Sequence, residues 1–254
     1  MSCALGDLTP WRVRDAFEHQ QGIIVRGALY RKSVQNAHHA LTRFFNNDEE
    51  LTKHPYDEES RLGYTPPGIE TIQRDPDHPD ENRAMFDFGP ELPFVDRSIT
   101  GLRWQAVRIC KRILDLLDEA YGTRFARLPE GEHRLRAAQY LRDGTTSQEV
   151  LFPRHRDFSL LTAFVGANEA GLEAEVMDEW YPVRLDYGDV LIGAGTPLRQ
   201  FHPSARALWH RIVGGTDRRL SSFLFYELRS DVILPQTLET YGAMLDRVMK
   251  SIRA

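Results

Sequence analysis

The stretch Leu151 to Leu161 reads LFPRHRDFSLL, with a histidine and an aspartate two residues apart between apolar runs. On a strand, residues i and i+2 point to the same face. His155 and Asp157 placed in this way reach one cation. One imidazole and one carboxylate make two-thirds of a facial triad for non-haem iron(II). The competing reading is a surface ion pair. A second H-x-D, His78-Pro79-Asp80, lies in the polar run DPDHPDEN with no apolar strand beside it, and it is not expected to hold a metal. A third ligand has to come from a distant strand. His210 stands in the strand-like ALWHRIV, whereas His202 stands before a proline in QFHPS, and both are candidates.

Arg219 and Ser221, in RRLSSFLFYEL, are again i and i+2. A planar fork of donors next to a hydroxyl matches a single carboxylate. An inward arginine among Leu220, Phe223 and Phe225 is costly unless paired, and a bound anion would pair it.

These side chains need a scaffold. From Leu135 onward, LRAAQYL, VLF, SLLTAFVGA, EAEVM, YPVRL, DVLIGAG, ALWHRIVGG and SSFLFYEL are short runs broken by Gly, Pro, Asp or Asn. Such spacing predicts a β-sandwich or barrel. Before them the pattern is helical. Leu8 to Gln20 opens with Thr9-Pro10, an N-cap and N1 pair. GIIVRGALY is strand-like, and Val34 to Phe45 and Ile99 to Tyr121 carry apolar residues at helical spacing, the latter with Gly122 as C-cap. The Pro/Gly/Asp-rich stretch from His54 to Asp80 reads as a long loop packed by its own Tyr64 and Ile69. A final helix runs from about Leu238 to Ile252. The reading is one α+β domain over 1–254: a helical and loop part at 1–134, a jelly-roll core at 135–230 and a C-terminal helix at 231–254.

Composition narrows the function classes. The chain has 254 residues, 41% apolar and 27% charged, which suits a soluble protein with a proper core. No apolar run is long enough to span a bilayer, and the N-terminus lacks the layout of a signal peptide. A cytoplasmic protein is expected. A net charge of −5 with no basic stripe disfavours nucleic acid as a partner. Cys3 and Cys110 are far apart, which disfavours both a disulfide framework and a cysteine zinc site.

The order His155-Arg156-Asp157, then His210, then Arg219-Leu220-Ser221, resembles the iron(II)/2-oxoglutarate oxygenases of the isopenicillin N synthase-like family, and both intervals suit that family. HRDFSLLT is similar to its H-T-D-x-G-x-L-T stretch, and WHRIV to its H-R-V. EAGLEAEVMDEWYPVRLDYGDVLIGAG is similar to its G-L-x-V…W-x-x-V…P-G-x-L-V-x-x-G stretch. FFNNDEELTKH, RLGYTPPGIE and NRAMFDFG resemble its N-terminal helix, loop and E-x-F-D-x-G segment. The resemblance covers nearly the whole chain and implies a distorted double-stranded β-helix, the cupin-like form of a jelly roll.

That resemblance implies His155, Asp157 and His210 as iron(II) ligands, with Arg219 and Ser221 holding the far carboxylate of 2-oxoglutarate. Tyr140, in a loose match to the family's Asn-Tyr-Tyr-Pro strand, becomes a candidate contact to that cosubstrate. Dioxygen would be the oxidant and a small molecule the substrate. The outcome would be hydroxylation, desaturation, cyclisation or epimerisation, in a setting such as natural-product or antibiotic biosynthesis. Related halogenases replace the carboxylate with a small residue, so Asp157 argues against halogenation. Departures lie around the cavity: Arg156 stands for the usual Thr, Ser159 for a Gly, and Thr196 for an Asp. Arg156, with Arg154 and Arg142, is a candidate for holding an anionic substrate. Three alternatives remain open: an oxidase of the same family that uses no 2-oxoglutarate, a metal-dependent isomerase or hydrolase on a cupin-like barrel, and a non-catalytic metal- or anion-binding barrel.

Overall fold

The period-2 pattern of the late strands decides the architecture. In RLSSFLFY the residues alternate between two environments: Leu220, Leu224 and Tyr226 join the main apolar core, whereas Arg219, Ser221, Phe223 and Phe225 line a cavity. In RLRAAQY, Leu135 and Ala137 face the core, and Arg134, Arg136 and Tyr140 face the cavity. A strand covered on both faces separates its polar work from its apolar packing in this way.

The computed structural model describes residues 2–70, 83–90, 92, 95–141, 150–167, 170–214 and 219–253. In chain order the elements are β1 (Ser2–Ala4), α1 (Pro10–His19), β2 (Gly22–Arg26), α2 (Arg31–Phe45), α3 (Asp48–Thr52), β3 (Gly63–Thr65), β4 (Arg83–Phe88), α4 (Arg97–Tyr121), β5 (Arg134–Tyr140) and β6 (Val150–His155). They continue with β7 (Leu161–Ala167), β8 (Leu172–Val176), β9 (Glu179–Pro182), β10 (Val190–Ala194), α5 (Thr196–Phe201), β11 (His210–Val213), β12 (Arg219–Tyr226) and α6 (Tyr241–Arg253). A large sheet has the order β1-β2-β10-β7-β12-β5-β4-β3, and a small sheet the order β6-β11-β8-β9. Every described pairing is antiparallel except β1 with β2. The chain is mainly β, in the two-sheet form of a double-stranded β-helix.

Helix α4 backs the large sheet. Its stripe includes Val107, Cys110, Leu114 and Leu117, all buried, and Asp96 caps its start by accepting from the Ser98 N–H at 2.8 Å. Burying side chains of this size stabilises by roughly 1.5–3 kcal/mol each. Gly122 closes the helix in the left-handed conformation at φ 66°. The expected helices at Leu8 to Gln20, Val34 to Phe45, Ile99 to Tyr121 and the C-terminus all form, within a few residues of the expected ends.

Several features depart from the sequence reading. β4 was not expected: Arg83, Met85 and Asp87 alternate with Ala84, Phe86 and Phe88, but the charges and the surrounding polar loop hide a strand buried on both faces. Within the long loop, Tyr64 packs on the core, but Ile69 is half exposed and packs nothing there. A short helix, α5, was not expected; it starts directly after Gly195, the residue that follows β10.

That glycine fixes the metal-side loop. A Cβ on Gly195 would collide with the Ser159 carbonyl oxygen and stand 3.3 Å from that of Asp157. We expect Gly195→Ala to destabilise the protein by about 3 kcal/mol, the upper end for an overpacked site. Gly101→Ala, on α4 with open space around it, is expected to be neutral or to stabilise by up to about 1 kcal/mol. Urea denaturation midpoints of the two variants check both expectations.

Candidate metal centre and anion clamp

His155 ends β6 and His210 starts β11, and the two are direct partners in that strand pairing. The pairing places their rings 4.0 Å apart between centroids. β6 stops at His155, so Asp157 is not on the strand as the i, i+2 argument supposed; it stands in the turn that follows. The turn still brings it to the histidines. Its Oδ1 lies 3.9 Å from His155 Nε2, and its Oδ2 lies 3.7 Å from His210 Nε2. One ligand atom from each of the three residues falls within 4.8 Å of the others, the only such group of three or more among the described residues.

Hydrogen bonds prepare each group to ligate. His155 Nδ1 lies 2.8 Å from the Pro153 carbonyl, and His210 Nδ1 lies 3.2 Å from the Leu208 carbonyl. A carbonyl only accepts, so each Nδ1 carries the hydrogen and each Nε2 keeps its lone pair for a metal. Burial, and next the nearby His210, hold His155 well below the usual imidazole pKa. The neutral form that a metal needs is therefore the stable one. The Thr162 hydroxyl donates to Asp157 Oδ2 at 2.7 Å, and Ser159 Oγ lies 2.9 Å from Thr162 Oγ1. Thr196 contributes too, with its N–H at 2.9 Å and its hydroxyl at 3.1 Å from the Asp157 carbonyl.

The candidate anion clamp comes from the opposite sheet. Arg219 is 2% exposed; its Nε donates to Ser221 Oγ at 3.0 Å and its NH1 to the Ala170 carbonyl at 2.7 Å. Tyr140 is directly opposite Arg219 on β5, and Arg83 is directly opposite Tyr140 on β4. Arg83 stacks on Phe152, 3.5 Å above its centre, and Phe152 meets the His155 ring edge-on. Metal-side and clamp-side residues border one cavity of about 400 Å³ between the sheets.

All seven singled-out residues, His155, Asp157, His210, Arg219, Ser221, Tyr140 and Arg156, line that cavity. His202 does not: it stacks on Tyr121 with ring centres 3.5 Å apart. Arg154 is exposed and forms a two-pronged pair with Glu175 at 2.6 and 2.8 Å. His78, Asp80 and Arg142 lie outside the described residues. Arg156 is half-buried against Trp209, 4.1 Å from the ring centre. Burial, and then Arg199 and Arg154, lower its pKa.

A buried ionic network was not foreseen. Arg134 grips Glu227 through two bonds of 3.0 and 2.9 Å, and Arg136 grips Asp87 at 2.9 and 2.7 Å and reaches Glu70 at 2.8 Å. Burial opposes the charge on both arginines, but Glu227 and Asp87 outweigh it and hold both guanidinium groups above their usual pKa. The signal was the regular placement of Arg134, Arg136 and Asp87 at alternate strand positions. Leu245, Val248, Met249 and Ile252 of α6 add an apolar wall to the same cavity.

No family model matches the sequence, and no curated protein matches it. Solved structures match along the whole chain. A provisionally assigned 2OG-Fe(II) oxygenase family protein from Caulobacter crescentus is 17% identical, with a TM-score of 0.80 over 99% of this chain and 98% of its own. A full-length Neurospora crassa protein in complex with alpha-KG and 5-formyluracil is 12% identical, with a TM-score of 0.80 over 98% of this chain and 95% of its own. JOX2 in complex with 2OG, Fe and JA is 14% identical, with a TM-score of 0.79 over 100% of this chain and 89% of its own. At such identities the likeness is one of architecture, and it agrees with the pairing of the strands: the chain has the double-stranded β-helix fold of the 2OG-Fe(II) oxygenases.

Proposed function

We propose that this chain is a non-haem iron(II)- and 2-oxoglutarate-dependent oxygenase acting on a small molecule. One observation carries the reading: two imidazoles and a carboxylate converge on one side of a buried cavity, and an arginine–serine clamp faces them from the other. The donor set suits the metal, since two neutral imidazoles and one carboxylate leave positions open for a bidentate cosubstrate and dioxygen. With cosubstrate and oxygen, the iron supplies oxidative decarboxylation of 2-oxoglutarate to succinate and oxidation of a substrate C–H bond.

The chain's own groups do the positioning. The Pro153 and Leu208 carbonyls set the two ring orientations, and Thr162 sets the Asp157 carboxylate. Arg219 and Ser221 receive the distal carboxylate, with Tyr140 beside them in register. The mostly apolar wall strengthens each of these contacts relative to water. 5-Formyluracil and JA in the related structures support a substrate of small size. Hydroxylation, desaturation, cyclisation and epimerisation all fit this machinery. We assign the whole chain, 1–254, to one oxygenase unit of the isopenicillin N synthase-like type. Natural-product biosynthesis, antibiotics included, is the setting that the motif resemblance favours, and the two free cysteines accord with a cytoplasmic location.

Anaerobic titration tests the reading. Iron(II) and 2-oxoglutarate together should give a visible absorption band that neither gives alone. His210→Ala should abolish iron binding, whereas His202→Ala should leave it intact; the reverse pattern would overturn the choice of third ligand. Arg219→Ala should weaken 2-oxoglutarate binding on the order of 10–100-fold, the worth of a charged hydrogen-bonded contact, with iron binding retained. Succinate released in step with oxygen consumption separates this enzyme from an oxidase that needs no 2-oxoglutarate. Turnover with zinc and no oxygen would indicate an isomerase or hydrolase, and oxygen untouched under all conditions a non-catalytic barrel.

A further inference from the structure

The charges around the cavity are unevenly spent. Among the described residues seven arginines but only four carboxylates line it, a balance that favours anions. Two of the guanidinium groups are neutralised within the wall itself: Arg134 by Glu227, and Arg136 by Asp87 and Glu70. Arg156 differs. It borders the cavity next to Asp157, and its charged neighbours are two further cations, Arg199 and Arg154. Arg154 is matched by Glu175, but among the described residues no carboxylate forms an ion pair with Arg156. Its guanidinium carbon packs 4.1 Å from the centre of the Trp209 ring, a contact that uses none of its N–H donors, and Arg156 borders the cavity.

The wall beyond Arg156 is apolar. Phe158, two residues on, lines the cavity, and its carbonyl accepts from the Tyr241 hydroxyl at 3.1 Å. That bond fastens the first turn of α6 to the segment carrying Asp157 and Arg156. From there Leu245, Val248, Met249 and Ile252 present hydrocarbon to the cavity.

We infer that the substrate is a small organic acid with an apolar body, its carboxylate on Arg156 and its hydrocarbon part on α6. This rests on the oxygenase reading above and names the substrate class for the same site. A carboxylate fits better than a phosphate ester. It accepts the two parallel bonds of one guanidinium with a single charge, whereas a phosphate would bring nearly two charges beside the Asp157 carboxylate.

Calorimetric titration of the manganese(II)- and 2-oxoglutarate-loaded protein, without turnover, tests the inference. The probes are matched pairs: 3-phenylpropanoate with 3-phenylpropanamide, and octanoate with octanamide. At least one acid should bind tenfold or more tightly than its amide. Arg156→Gln should erase that preference and leave the 2-oxoglutarate Kd unchanged, and Arg156→Lys should retain part of it. Acid and amide binding alike, neither binding, or a preference that survives Arg156→Gln would each overturn the inference. A protein that takes up neither manganese(II) nor 2-oxoglutarate would instead sink the oxygenase reading, and the probe pairs can still be compared on that protein.

Discussion

Positive charge buried between two sheets is the constraint on which this structure turns. A guanidinium group removed from water is tolerated only where its donors are matched. Arg134 and Arg136, each under 10% exposed, meet this by gripping Glu227, Asp87 and Glu70. Arg219 donates to the Ser221 hydroxyl and to the Ala170 carbonyl, which fix the direction of its guanidinium. The same sheet thus holds its buried arginines with carboxylates, a hydroxyl and a backbone carbonyl.

The sheets divide the work. The small sheet supplies His155 and His210 as a cross-strand pair, and the large sheet supplies Arg219, Ser221 and Tyr140. Neither sheet could make the site alone. Because α4 packs its apolar stripe on the outer face of the large sheet, the strands there can keep their inner face polar without losing the core. Alternation along each strand converts one sequence into two surfaces, one for stability and one for ligand.

Much of this was legible in the sequence, and the residues that were not share a cause. The helices and most strands followed from local periodicity, and the histidines and clamp from residue type and spacing. β4 was missed because Arg83 and Asp87 look solvent-facing when read locally; Arg136 across the pairing, with Arg134 beside it, explains Asp87. Thr162 was read as one more strand residue, since its tie to Asp157 arises from a turn whose shape no local pattern specifies. Residue type alone left His210 and His202 both open; the resemblance pointed to His210, and the pairing of β11 with β6 sets it beside His155.

The end of β6 matters as much as its course. On a continuing strand, Arg156 would point away from the face shared by His155 and Asp157. The strand stops at His155, and the turn frees the next residues from alternation. Gly195 makes room for that turn by letting its backbone press against Ser159, and Thr196 ties down its Asp157 carbonyl. Residues 155, 156 and 157 can then all border one cavity. A short tripeptide thereby presents an imidazole, a guanidinium and a carboxylate to the same space. The cation beside the carboxylate lies against the Trp209 ring, and among the described residues no carboxylate forms an ion pair with it. The turn that completes the candidate metal centre thus also leaves a positive charge to be matched at its edge, and whatever anion enters to match it is held next to Asp157.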